Sequence, residues 1–218
     1  MNSSEPLIKP GNNLPAQAHP ATVTRVLVAL NAVIAILMGL AGSSARDVLV
    51  FWGGLVPLRL TLAVEGQVPV LGAVSTLLGH MFLHGGALHL LMNMVMLLAI
   101  GRILEPALGS RRFLALYLLS GRAGGFAEWA WSPMSAVPAV GASGAISGLV
   151  AAQAMLFGKS KRGPLLQALG LGVAWVVLQI AASAALAGPG LRLAIAAHIG
   201  GFIAGLALAR PFAAPRRA

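Results

Sequence analysis

The sequence predicts an all-α integral membrane protein: a bundle of six transmembrane helices with short interfacial helices in its first loop. Three observations carry this. The 218 residues are 58% hydrophobic and only 9% charged, whereas a soluble domain carries about 25% charged residues. The mean hydropathy is +0.86. The apolar residues fall into runs long enough to cross a hydrocarbon core of about 30 Å at about 1.5 Å per residue.

Residues 1–22 are polar and rich in Pro, Asn and Ser. They are expected to be a disordered cytoplasmic tail, with His19 a solvated tail residue. No apolar segment directly follows the start, so a signal peptide is not expected. The first span is residues 23–40, ended by Gly42-Ser43-Ser44. Residues 43–78 mix Arg46, Asp47, Trp52, Pro57, Arg59, Glu65 and Pro69 with many apolar residues. They are too broken to span and too apolar for an aqueous loop, which predicts interfacial helices.

The second span starts around residues 84–89 and reaches Leu104. A polar turn is expected at residues 101–112, then a third span at residues 113–125. Glu128, Trp129, Trp131 and Pro133 mark the following interface, where tryptophans concentrate. The fourth span is expected to start at Ser143 and end near Phe157. It is short, so the irregular backbone before it must be buried in protein or line a water-filled cavity. A basic turn, residues 158–164, leads to the fifth span, residues 165–186. Gly188-Pro189-Gly190 breaks it, and the sixth span is residues 193–208. The expected organisation is thus one membrane domain, residues 23–209, between tails at 1–22 and 210–218.

A net charge of +10 invites a nucleic-acid reading. The cations instead sit in short clusters between apolar runs, which is how loops set topology, so no nucleic-acid partner is expected. On one side lie Lys9, Arg25, Arg102, Arg111, Arg112, Lys159, Lys161, Arg162, Arg210, Arg216 and Arg217. The other side holds Arg46, Arg59, Arg122 and Arg192. This asymmetry places both termini in the cytoplasm and suits a bacterial inner membrane. The second, fourth and sixth spans then start at the outer face. His89, Asn93, Ser143 and His198 lie near those starts, at matched depth in the outer half of the bilayer.

Polar residues at membrane depth are costly and point to function by default. Singly, each could be a hydrogen bond between helices; four at one depth from three helices are harder to dismiss. Gly144 with Gly148, and Gly201 with Gly205, carry the small-xxx-small spacing that lets helix backbones approach. If those faces meet, Ser143 and His198 come within hydrogen-bond reach. Ser143 is then a candidate nucleophile and neutral His198 its general base and later general acid. His89 and Asn93, spaced i, i+4, share a face and could donate to an oxyanion, with the Ser143 backbone N–H as a further donor. His84 is expected to support the preceding loop. Glu105 falls on the cytoplasmic side, Glu5 in the tail, and Asp47, Glu65 and Glu128 in outer loops. A dyad is therefore expected in place of a Ser–His–Asp triad. His84 and His89, spaced i, i+5, are expected on different faces. With cysteine absent and no nearby acid, neither a metal site nor a cofactor is expected.

These residues resemble the rhomboid family of intramembrane serine proteases over about residues 82–206. Gly141-Ala142-Ser143-Gly144 matches its GxSG, His89 and Asn93 its HxxxN with His84 upstream, and Ala197-His198-Ile199-Gly200-Gly201 with Gly205 its histidine helix. Glu105 through Ser110 matches its ExxxGS turn. The resemblance implies a six-helix bundle and a Ser143–His198 dyad with His89 and Asn93 at the oxyanion. It also implies cleavage of single-pass transmembrane substrates near their outer ends, with the fifth span and the loop after it as the gate. Two departures stand out. Ser147 occupies the position where some members carry a Tyr that stacks on the histidine. The Trp-Arg pair of the first loop is missing; Arg59 follows Leu58. The alternative reading is a catalytically silent helix-binding or quality-control protein on the same scaffold. A small transporter is weaker, because no inverted repeat with broken helices is evident.

Overall fold

The structure, a computed structural model, describes residues 21–158, 163–186 and 194–213. Among these residues it is all-α, with nine α-helices: α1 Thr22–Leu40, α2 Gly42–Gly53, α3 Pro57–Val64, α4 Val70–Gly79, α5 Ala87–Leu108, α6 Ser110–Trp131, α7 Ser143–Phe157, α8 Pro164–Leu186 and α9 Ile195–Ala213. A 3-10 turn, His80–Phe82, follows α4. The expected tail 1–22 (all but its last two residues), the cations of the 158–164 turn, Gly188-Pro189-Gly190 and residues 214–218 lie outside the described residues.

The protein is an integral membrane bundle. Helices α1, α5 and α9 are each long and apolar enough to cross a membrane. Their outward faces carry large apolar side chains, Leu37, Leu91 and Ile203 among them, each more than half exposed. That pattern fits lipid as the solvent. Helix α7 is different. It is buried along most of its length and packs against α5, α6, α8 and α9. Its 15 residues reach only about 22 Å at about 1.5 Å per residue, less than a full crossing. The irregular backbone leading into its start, Gly141 and Ala142, is buried in protein, as the bilayer requires of non-helical chain at membrane depth.

Glycine allows α7 to sit so deep. A β-carbon on Gly201 would collide with the Gly144 carbonyl, and one on Gly205 with the Gly148 carbonyl. The seam extends to α6, which the sequence reading did not anticipate. A β-carbon on Gly124 would lie 2.6 Å from the Ala197 carbonyl oxygen, and one on Gly200 would lie 2.9 Å from that of Ala123.

Two polar braces hold the ends. At one end the buried Glu105 carboxylate accepts the N–H groups of Val23 (2.9 Å) and Thr24 (2.8 Å), the Thr24 hydroxyl (2.8 Å) and the Ser110 hydroxyl (2.7 Å). These satisfy first-turn donors of α1 that have no partner within the helix. Arg112 Nη1 donates to the Phe212 carbonyl at 2.9 Å, closing α6 onto the end of α9. At the opposite end the first loop braces the chain leading to α7. Leu55 and Ala139 form an antiparallel bridge, Leu58 N–H donates to Ser135 O at 2.9 Å, and Thr61 links Trp129 Nε1 (3.0 Å) to Pro133 O (2.8 Å).

Several expected boundaries move. Glu105 to Leu108 is the last turn of α5 and not a loop; the break is Gly109, at φ +79°. Helix α6 runs to Trp131, well past the expected end at Gly125, because Gly124 and Gly125 are close-packing positions and not helix terminators. Glu128 is therefore a buried residue of α6 and not an outer-loop residue. Helix α9 continues through Pro211 to Ala213, so the expected C-terminal tail begins as helix. The absent Trp-Arg pair has a spatial counterpart. Arg59 donates to the carbonyls of Phe51 (2.7 Å) and Trp52 (3.1 Å) and lies over both rings, at 4.9 and 5.0 Å.

Candidate active site

Ser143 is the first residue of α7, and His198 lies in the first turn of α9. The glycine seam brings these turns together, and His198 Nε2 stands 2.7 Å from Ser143 Oγ. His198 is buried, and its Nδ1 makes no hydrogen bond among the described residues. A pair in this geometry can pass a proton from the hydroxyl to the ring. Among the described residues no carboxylate orients the histidine, which separates the arrangement from a triad.

The chain before Ser143 is shaped by Gly141, at φ +127°. L-side chains rarely adopt that region. Its N–H donates to the His80 carbonyl at 2.9 Å. His80 is itself buried, with Nδ1 2.8 Å from the Thr76 carbonyl. The sequence reading passed over His80, because it acts through its backbone oxygen, which no residue-type pattern reports. Its spacing four residues before His84 was the available signal.

His89 lies on the other side of Gly141. A β-carbon on Gly141 would sit 2.9 Å from both Cε1 and Nε2 of His89, and 3.6 Å from Ser143 Oγ. The missing side chain thus leaves a small space walled by the imidazole and the serine hydroxyl. Gly85 N–H points at His89 Nδ1 over 3.4 Å. That makes Nδ1 the acceptor and leaves the proton of the neutral ring on Nε2, facing the space. The Ser143 backbone N–H, first in its helix, has no intrahelical acceptor. Two N–H donors near one hydroxyl is the arrangement that steadies a tetrahedral oxyanion.

Asn93 is one turn below His89 and buried, and its Nδ2 donates 2.8 Å to the His89 carbonyl. One amide hydrogen is thereby committed to holding the helix turn that carries His89. His84 precedes α5 and is not part of it, so the expectation of opposite faces fails. Its ring stands edge-on to His89, centroids 5.2 Å apart, and neither ring nitrogen has a hydrogen-bond partner among the described residues. Burial, reinforced by the neighbouring His89, pushes its pKa down to about 3. Ser147, the departure at the Tyr position, donates to the Ser143 carbonyl at 2.7 Å and accepts Trp175 Nε1–H at 2.8 Å. Gly144, Gly148, Gly201 and Gly205 form the seam already described. Glu105 stands at the opposite end of the molecule, in the brace it makes with α1.

The Rhomboid domain model matches residues 71–215, which include every residue of this cluster. The chain belongs to the rhomboid family. It is similar to the rhomboid protease GluP of Bacillus subtilis (strain 168), with 31% identity over 192 residues, 87% of this chain and 35% of that protein. It is also similar to RHOMBOID-like protein 5 of Arabidopsis thaliana, 39% identical over 95 residues, 44% of this chain and 31% of the relative. RHOMBOID-like protein 4 of the same plant is 40% identical over 99 residues, 43% of this chain and 25% of its own length. The chain thus spans about a third or less of each of these relatives.

Proposed function

We propose that this rhomboid is an intramembrane serine endopeptidase acting through a Ser143–His198 dyad. The observation that supports it most directly is the 2.7 Å contact between Ser143 Oγ and His198 Nε2, below the outer end of a buried helix. Ser143 Oγ attacks the scissile carbonyl as His198 Nε2 takes its proton. The oxyanion forms in the space beside Gly141, facing His89 Nε2–H and the Ser143 N–H. His198 then protonates the leaving amine, an acyl-enzyme remains, and water deprotonated by the same imidazole hydrolyses it.

Substrates in this reading are single-pass transmembrane proteins, cut near their outer ends. The depth of Ser143 supports that choice, because a soluble peptide would have to leave water to reach it. The domain begins at about residue 23 and, since α9 runs to Ala213, ends about a turn beyond the expected 209; both termini face the cytoplasm, and a bacterial inner membrane is the setting that the basic inner clusters favour.

Treatment with a serine-directed fluorophosphonate, with mapping of the labelled residue, tests the chemistry. Label on Ser143, absent from Ser143→Ala and His198→Ala, is expected, with both variants failing to cleave a transmembrane reporter. A wild-type protein that captures the reporter but never cuts it would overturn the reading and favour a silent helix-binding role.

A further inference from the structure

Ser147 carries a hydrogen-bond chain that the proposed mechanism does not use. The indole N–H of Trp175, on α8, donates to Ser147 Oγ at 2.8 Å, and Ser147 Oγ–H donates to the Ser143 carbonyl at 2.7 Å. Trp175 is 9% exposed and Ser147 fully buried. Buried hydrogen bonds in series polarise one another and resist replacement by water. The chain ends on the main chain of the candidate nucleophile itself. Its start lies on a different helix, and Trp175 also lines a cavity of about 430 Å³ between α5, α7 and α8, with Met96, Ile100, Val150 and Leu171.

We infer that Trp175 and Ser147 together are positioning residues for Ser143, coupling the placement of α8 to the reactivity of the serine. The inference rests on the proposed dyad. The reason is geometric. A hydroxyl held 2.7 Å from its base works over a narrow range, and a misplacement of about 1 Å can cost about 100-fold in rate. Ser143 is the first residue of its helix, where no earlier turn restrains it. A hydroxyl bond to its carbonyl, itself anchored by an indole from α8, supplies restraint from the following turn. When α8 moves away the indole leaves, and the Ser147 hydroxyl loses the donor that orients it. At the position where the resemblance implies a Tyr against the histidine in some members, this chain has a serine that steadies Ser143.

The test compares Trp175→Phe, which keeps the ring but loses the N–H, with Ser147→Ala and Ser147→Thr, which removes or keeps the hydroxyl. Second-order labelling of Ser143 by a fluorophosphonate and kcat and KM on a transmembrane reporter are read for each. Trp175→Phe and Ser147→Ala should each slow labelling and lower kcat by roughly three- to tenfold, the range set by the net worth of one hydrogen bond, with KM little changed. The double variant should be no slower than the worse single one, and Ser147→Thr should recover most of the rate. Wild-type labelling at Ser143 with unchanged rates in both single variants overturns the inference and leaves the dyad standing. Independent, multiplying effects also overturn it, since they would mean two unrelated packing losses. Absence of label on wild-type Ser143 overturns the dyad itself.

Discussion

Gly141 is where a single side chain separates positioning from packing. Its backbone is left-handed at φ +127°, and a methyl group would press on the His89 ring. Gly141→Ala should cost about 1–3 kcal/mol of stability through backbone strain. It should also lower reporter cleavage by at least about tenfold, because the methyl fills the space where an oxyanion would form. Thermal melts beside cleavage rates separate the two effects; full activity in a destabilised protein would remove His89 from the chemistry. His84 makes a prediction in pH. Its folded pKa of about 3 lies below the ordinary 6.5, so the unfolded chain takes up the proton first as pH falls. Stability is then fully present above 6.5 and is lost as pH falls from 6.5 towards 3. The thermal midpoint in detergent should drop less between neutral pH and about pH 4 in His84→Gln than in the wild type; equal drops would show that His84 is not the group responsible.

The α7–α9 pair carries the site, and its tolerance is set by the glycines. Gly201 has the Gly144 carbonyl in the place a β-carbon would take. Backbone cannot swing aside as a side chain does, so Gly201→Val should destabilise by about 3 kcal/mol or more. It should also abolish fluorophosphonate labelling by parting Ser143 from His198; a labelled, well-folded Gly201→Val protein would show that the seam does not set their distance. At the opposite end, Glu105→Ala leaves two α1 N–H groups and two hydroxyls without their acceptor. The expected loss is again about 3 kcal/mol or more. Denaturant titration of the purified protein checks both. The sequence told these elements apart unevenly. Ser143 at the head of α7 and His198 at the head of α9 were legible, because a catalytic pattern and a glycine spacing coincide there. The end of α6 was not, because Gly124 and Gly125 look like terminators until a second helix is seen against them. Glu105 was legible as a motif residue, but its partners Val23 and Thr24 lie some eighty positions away. The same distance problem hid the Trp175–Ser147 contact, since nothing local in either segment points to the other.

At the scale of the whole bundle, most of the long-range polar contacts among the described residues sort into two layers. Val23, Thr24, Glu105, Ser110, Arg112 and Phe212 meet at one end. Leu55 with Ala139, Thr61 with Trp129, His80 with Gly141, and Ser143 with His198 meet at the other. Helices α6 and α9 each link the layers: α6 runs from Ser110 and Arg112 to Trp129, and α9 from His198 to Phe212. The cations predict which layer faces the cytoplasm: eleven of the 15 Lys and Arg residues belong to segments that the charge pattern assigns to the Glu105 side. Crossing by the opposite route would place those basic clusters outside, against the bias that governs short loops. The chain has no cysteine, so one introduced thiol reports its own side without background. Met134 is 70% exposed in the loop between α6 and α7, and Pro211 is exposed near the end of α9. In intact cells a membrane-impermeant maleimide should label Met134→Cys at once and Pro211→Cys only after the membrane is opened. The reverse pattern would turn the Ser143–His198 end towards the cytoplasm, and the cut would then fall at the inner end of a substrate helix.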